Sequence, residues 1–129
     1  MLLEPIIRTP IAISLGAIGG ALSRYYLTYH FTQRFGNHFP YGTFFINITG
    51  CFLMGLIITL STEKFSISSD FKLLLTTGFL GAYTTFSTYG LDTMKLLDSS
   101  PSFVAMFYWL GSAFLGIIAV YCGSWMARL

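Results

Sequence analysis

The chain has 129 residues, of which 54% are hydrophobic and 9% charged, and its formal net charge is +2. A soluble domain carries about 25% charged residues, so a water-soluble domain is excluded and an integral membrane protein is expected. Crossing a hydrocarbon core of about 30 Å takes roughly 20 apolar residues per helix, and four stretches meet that need: Pro10–Tyr29, Tyr41–Leu60, Phe71–Leu91 and Phe103–Met126. The short connections Phe31–Pro40, Ser61–Asp70 and Asp92–Ser102 hold most of the charge and leave no room for a soluble catalytic domain. Residues 1–129 therefore read as one all-α, four-span membrane domain.

The first span carries GAIGGALSR, with Gly16 and Gly20 four apart on one face and Gly19 beside them. Small residues at this spacing let helix backbones approach closely. Arg24 lies about one turn from the end of the span. A snorkelling arginine and a cation that draws anions toward a vestibule are both open readings. Arg8 and Arg24 bracket Pro10–Ser23, and no small-residue cleavage site follows, so a retained span is expected rather than a removed signal peptide.

Span two contains GTFFINITGCFLMG, in which Asn47 is the residue least suited to lipid, with Thr43 one turn before it. A carboxamide at that depth needs partners and should face protein or a wet path. Helix-to-helix bonding is one reading, and an N–H donor for a desolvated small anion is the other. Cys51 here and Cys122 in span four fit as small apolar residues, and neither CxxC nor clustered His spacing suggests a disulfide or metal framework. His30 and His38 read as interfacial residues.

Span three holds Gly78–Thr88, GFLGAYTTFST, where glycines and hydroxyl residues interrupt an apolar segment. Backbone polar groups in hydrocarbon need partners, so a weakened helix at this depth is expected only where protein, water or an ion satisfies them. Carbonyls freed in such a break can coordinate a cation; a threonine-rich kink satisfied by back-bonding is the alternative. Phe86 and Tyr89 lie three apart and share a face in a resumed helix, with Ser87 and Thr88 pointing to neighbouring directions. Asp92 and Lys95 read as an interfacial ion pair. Span four sets Tyr108, Ser112, Gly116 and Val120 at one-turn spacing, a short polar stripe on one face.

With an even number of spans both termini share a side, and Arg8, Lys64, Lys72 and Arg128 on it stand against Arg24, Arg34 and Lys95 on the other. The positive-inside rule barely decides between these. Insertion in both orientations and pairing head to tail is one outcome; a single orientation set by one charge is the other. No carboxylate lies deep within a span, since Glu4, Glu63, Asp70 and Asp98 fall outside and Asp92 at an end. That disfavours a proton-coupled carrier and favours passive ion passage. No nucleophile, base or metal cluster supports an enzyme, and a structural subunit without transport of its own is the third reading.

The glycine-rich start ending in Arg24, the GTFFINITG of span two and the TTGFLGAYTTFST of span three resemble the small bacterial fluoride channels of the Fluc (CrcB-type) family, over nearly the whole chain. The resemblance implies a break in the third helix, an antiparallel dual-topology homodimer in the bacterial cell (inner) membrane, and two fluoride pores along its interface. It implies a structural sodium ion at the centre, held by the backbone carbonyls of Gly81 and Thr84 from each copy. Asn47 matches the family's pore asparagine and Phe86 the first of its pore aromatics, whose positive ring edges face the anion. Ser87, Thr88, Tyr108 and Ser112 would add hydroxyls to the pore, and Arg24 would stand at the vestibule. The partners implied are fluoride, the lipid bilayer and a second copy, with no nucleotide and no nucleic acid. Tyr89 departs from the usual phenylalanine, Ala82 and Tyr83 from smaller neighbours of the break, and Gly116 and Val120 lack the hydroxyls of a longer polar rail.

Overall fold

The computed structural model describes residues 4–129, and the secondary structure there is helical throughout. Helix α1 spans Pro5–Phe35, α2 Tyr41–Thr59, α3 Ser69–Leu73, α4 Gly81–Tyr83, α5 Phe86–Ser99 and α6 Ser102–Arg128. A π-helical turn, Leu60–Lys64, extends α2, and a π-helical segment, Leu74–Leu80, joins α3 to α4 without interruption. Three helices among the described residues are long and apolar enough to cross a membrane: α1, α2 with its π turn, and α6. The expected third span is instead two pieces, Ser69–Tyr83 and Phe86–Ser99, separated at Thr84–Thr85.

Several boundaries move outward from the expected ones. Pro5 at the first helical turn costs no hydrogen bond, because the first N–H groups of a helix lack intrahelical partners, and α1 runs 31 residues from there. At 1.5 Å per residue this is about 46 Å, longer than the hydrocarbon core. It stops where Gly36 takes φ 80° and its N–H closes on the Thr32 carbonyl at 2.9 Å. The connection expected from Asp92 onward is helical as far as Ser99. No Asp92–Lys95 ion pair forms within 4 Å among the described residues; Asp92 Oδ2 instead accepts a long bond from Tyr108 Oη at 3.4 Å. The one-turn spacing allowed the pair, and packing of α5 on α6 turned the carboxylate inward.

Small residues set how the helices meet. A methyl group added to Gly16 or Gly20 would run into the backbone carbonyls of Leu74 or Phe79, so α1 lies directly on the π-helical segment. Gly55 and Gly123 do the same for α2 and α6, each facing a carbonyl of the other helix, Val120 and Phe52. Thr59 Oγ1 and Ser124 Oγ bond across that seam at 2.7 Å. In lipid there is little hydrophobic drive between helices, so close backbone approach and interhelical hydrogen bonds carry the association. Ion pairs clamp one end of the bundle: Arg8 with Asp70, which also accepts from Thr9 Oγ1 at 2.6 Å, and Arg128 with Glu63 at 2.7 Å. Ile7, Ile11, Leu15, Ile18 and Leu22 stay exposed along α1, as a lipid-facing stripe does.

Candidate functional site

The break in the third crossing is built by capping. Thr84 N–H makes the last helical bond, to the Leu80 carbonyl at 3.0 Å. Thr84 and Thr85 are then extended, with ψ 159° and φ −150°. The next N–H, that of Thr85, would close onto Gly81 in a continuing helix; it donates instead to Asn47 Oδ1 at 2.8 Å. Asn47 Nδ2 returns a bond to the Thr85 carbonyl at 3.1 Å, so one side chain of α2 satisfies both backbone groups of the broken residue. Helix α5 restarts with Thr85 as its N-cap, and Thr85 Oγ1 accepts from Thr88 N–H at 3.2 Å. That takes away the donor that would have closed onto Thr84. The carbonyls of Gly81 and Thr84 are thereby released from the helix, Gly81 on an exposed position and Thr84 half-buried.

Room for this comes from Gly50, where an added methyl would meet the Thr84 methyl and stand 3.3 Å from the Tyr83 ring. Tyr83 does not crowd the break: it is buried beneath it, stacked on Phe79 with ring centroids 5.8 Å apart, and its hydroxyl bonds Thr49 Oγ1 at 2.9 Å.

Beside the break lies a cavity of about 530 Å³ whose walls include Asn47, Thr84, Thr85, Phe86, Tyr89 and Ser112, with Cys51 and Met54 deeper along α2. Asn47 has two amide hydrogens and spends one on Thr85, leaving one donor. Ser112 Oγ is buried and has no hydrogen-bond partner among the described residues. An unsatisfied buried hydroxyl is costly enough that native structures rarely leave one without a role. Phe86 is 85% exposed, and its ring centroid is 5.7 Å from that of Tyr89. The Tyr89 hydroxyl donates to the carbonyl of Trp109, another residue of the cavity wall, at 2.5 Å and fastens α5 to α6.

The other candidates lie outside this wall. Ser87 is exposed, while Thr88 is half-buried and takes part in the cap, its Oγ1 accepting from Thr85 Oγ1 at 3.0 Å. Tyr108 is fully buried behind Tyr89, with ring centroids 5.5 Å apart, and reaches toward Asp92. Arg24 reaches the break itself, its Nη1 donating to the Thr84 carbonyl at 3.3 Å. The stripe on α6 continues past Ser112 through Gly116, Ala119 and Gly123, all buried against α2, while Val120 is 37% exposed. Sequence reasoning passed over Thr85, the hub of the site. Its signal was legible, since threonine is a favoured N-cap and a helix resumes after it.

Residues 11–124 match the family model described as CrcB-like protein, Camphor Resistance (CrcB). The chain belongs to the CrcB family. Its CrcB relatives include the fluoride-specific ion channel FluC of Trichormus variabilis, 58% identical with all of this chain and 95% of the relative aligned. Proteins of the same name from a Synechococcus strain and from Chloroflexus aurantiacus are 49% and 44% identical, covering 99% and 92% of this chain and 98% and 94% of their own lengths. The CrcB match takes in the glycine-rich part of α1, Asn47, the break and Ser112.

Proposed function

We propose that the chain is the protomer of a fluoride-selective channel that exports cytoplasmic fluoride passively. Its relatives carry the name of a fluoride-specific ion channel over nearly their full lengths. The observation that carries the reading is the donor set around the cavity: an unpartnered buried hydroxyl on Ser112, a spare amide hydrogen on Asn47 and the rims of Phe86 and Tyr89. Fluoride is small and strongly hydrated, so passage needs neutral donors that replace water yet release the ion. Aromatic rings offer a positive edge for the same purpose. Hydrogen fluoride enters as a neutral weak acid and ionises in the more alkaline cytoplasm, and the anion leaves down its own gradient without nucleotide.

The channel is a homodimer of oppositely inserted copies in the bacterial cell membrane. Gly81, Phe86, Ser87 and Gly90 are exposed on the face of one protomer, and backbone released at membrane depth does not face lipid. A second copy on this face would cover the break and close two pores along the interface. The near balance of basic residues between the two ends suits either orientation. A structural sodium ion at the centre fits the donor chemistry, because hard cations take oxygen ligands and the Gly81 and Thr84 carbonyls have lost their helical donors. Bound there, sodium would neutralise those oxygens and tie the two breaks together.

The test is efflux from liposomes reconstituted with purified protein, followed with a fluoride electrode. Fluoride release with little chloride release is expected. Equal chloride conductance, or fluoride release no faster than from protein-free liposomes, refutes the reading.

A further inference from the structure

We infer that Arg24 is a placeholder cation for the broken helix: it holds the Thr84 carbonyl when no ion is bound, and it opposes the sodium that takes that oxygen. The inference rests on the sodium site proposed above and goes beyond it to what sets the site's affinity. Three observations carry it. The Thr84 carbonyl has lost its helical donor, since Thr88 N–H is drawn to Thr85 Oγ1 at 3.2 Å. The group that meets it instead is a guanidinium nitrogen of Arg24 at 3.3 Å, from a helix sixty residues away in the chain. Arg24 itself has no carboxylate within 4 Å among the described residues, so backbone oxygen rather than an anion receives this charge.

An intramembrane charge without a counter-ion is costly and is kept where it does something. Here the need is plain. A protomer without sodium still contains a released carbonyl that must find a donor in hydrocarbon, and Arg24 supplies one from within the same chain. A carbonyl oxygen has two lone pairs and can accept from both cations. Two positive charges meeting on one oxygen still repel, and that repulsion is strong in a medium poorer in water than the bulk. The same contact that supports the ion-free break therefore weakens sodium binding, and the ion must displace the guanidinium or share the oxygen with it.

The measurement is a sodium titration of thermal unfolding of the purified protein in detergent, at constant ionic strength with choline as the replacement cation, read by the emission of Trp109 and Trp125. For Arg24→Gln and Arg24→Met the sodium concentration giving half the stabilisation should fall at least tenfold. Without sodium, both variants should unfold at a lower temperature than the parent. Arg24→Lys, which keeps the charge, should stay within threefold of the parent's half-saturation. An arginine that merely braced the fold would lower the sodium-free unfolding temperature and leave the sodium midpoint alone. A midpoint unchanged or raised in both neutral variants, with a clear sodium response in the parent, overturns the inference while leaving the sodium site standing. A parent indifferent to exchange of sodium for choline refutes the site itself.

Discussion

Replacing Asn47 by alanine removes the clasp that keeps the third crossing broken. Two hydrogen bonds vanish, Thr85 N–H to Oδ1 at 2.8 Å and Nδ2 to the Thr85 carbonyl at 3.1 Å. Thr85 is 7% exposed, so water does not readily replace them. The Thr85 carbonyl, as that of the N-cap residue of α5, keeps the first intrahelical bond, so the group left unpaired is the N–H, at a cost of about 1–3 kcal/mol. The Thr85 N–H has one route of relief, which is to close onto the Gly81 carbonyl and regularise the helix. That route withdraws the carbonyl proposed for sodium and swings Phe86 out of register with the cavity. At about 1.4 kcal/mol per tenfold change in population, even the lower bound disfavours the broken geometry by roughly 5-fold. Fluoride efflux from liposomes should fall by at least that factor, and the denaturant midpoint in detergent should fall with it. Asn47→Asp makes the complementary case: it keeps an acceptor for Thr85 N–H but sets a negative oxygen against the Thr85 carbonyl, and it should fail as badly. If alanine leaves efflux within twofold of the parent and unfolding free energy within about 0.5 kcal/mol, well under the value of one net hydrogen bond, the clasp is not what holds the break.

Ser112→Ala removes a hydroxyl that has no partner among the described residues, so stability should stay level or rise slightly while fluoride efflux falls; a marked drop in unfolding temperature would assign the hydroxyl to structure instead. Tyr89→Phe loses the 2.5 Å bond to the Trp109 carbonyl, which should cost about 0.5–1.5 kcal/mol of stability and leave efflux within threefold, because the hydroxyl proton is already spent on that carbonyl; a larger change in efflux at unchanged stability would make the hydroxyl a pore donor. A methyl added at Gly90 would meet no other part of the described residues within 4 Å, so Gly90→Leu should fold normally yet shift size-exclusion elution to the monomer, and a persistent dimer would place the interface elsewhere. Gly20→Ala, whose methyl would strike the Phe79 carbonyl, should destabilise by about 1–3 kcal/mol, whereas Gly111→Ala, with only the Phe107 ring at 3.8 Å, should be tolerated in thermal unfolding.

Composition and hydropathy were enough for the spans, and the glycine and hydroxyl residues of GFLGAYTTFST were enough to find the break. The helix ends were less legible. Hydropathy reports where the apolar stretch stops, whereas α1 and α6 continue as helix beyond it, as far as Phe35 and Arg128. Asn47 illustrates a different limit. Its depth demanded partners, and two readings stood, a bond between helices and a donor for an anion. The structure places one amide hydrogen on the Thr85 carbonyl and leaves the other beside the cavity, so the geometry accommodates both. Periodicity on α2 could not reveal this, because the partner is a backbone group 38 residues on. Arg24 was likewise legible as an intramembrane cation and illegible in its target, since the Thr84 carbonyl lacks its helical donor only because Thr88 N–H has been drawn to Thr85 Oγ1.

That dependence orders the whole site. A carbonyl in a helix interior already has its own N–H donor, so freeing one fully for a cation means giving that N–H another acceptor. In this chain two side chains do so, the Asn47 carboxamide for Thr85 N–H and the Thr85 hydroxyl for Thr88 N–H. Both redirected donors lie within four residues of each other, and of the two carbonyls they release, Gly81 belongs to the last helical turn before the break and Thr84 to its extended backbone. Restoring one donor would close one carbonyl and leave the other exposed to lipid, a state costlier than either the intact break or a continuous helix. The break should therefore behave as a single unit: Thr85→Val, which lacks the capping oxygen but keeps the backbone bonds to Asn47, should lose sodium-dependent stabilisation as completely as Asn47→Ala does. A double variant should lose little more than either alone, and sodium titration of unfolding for the three proteins checks it. Additive losses would mean that the two caps act independently and that the break is two local kinks.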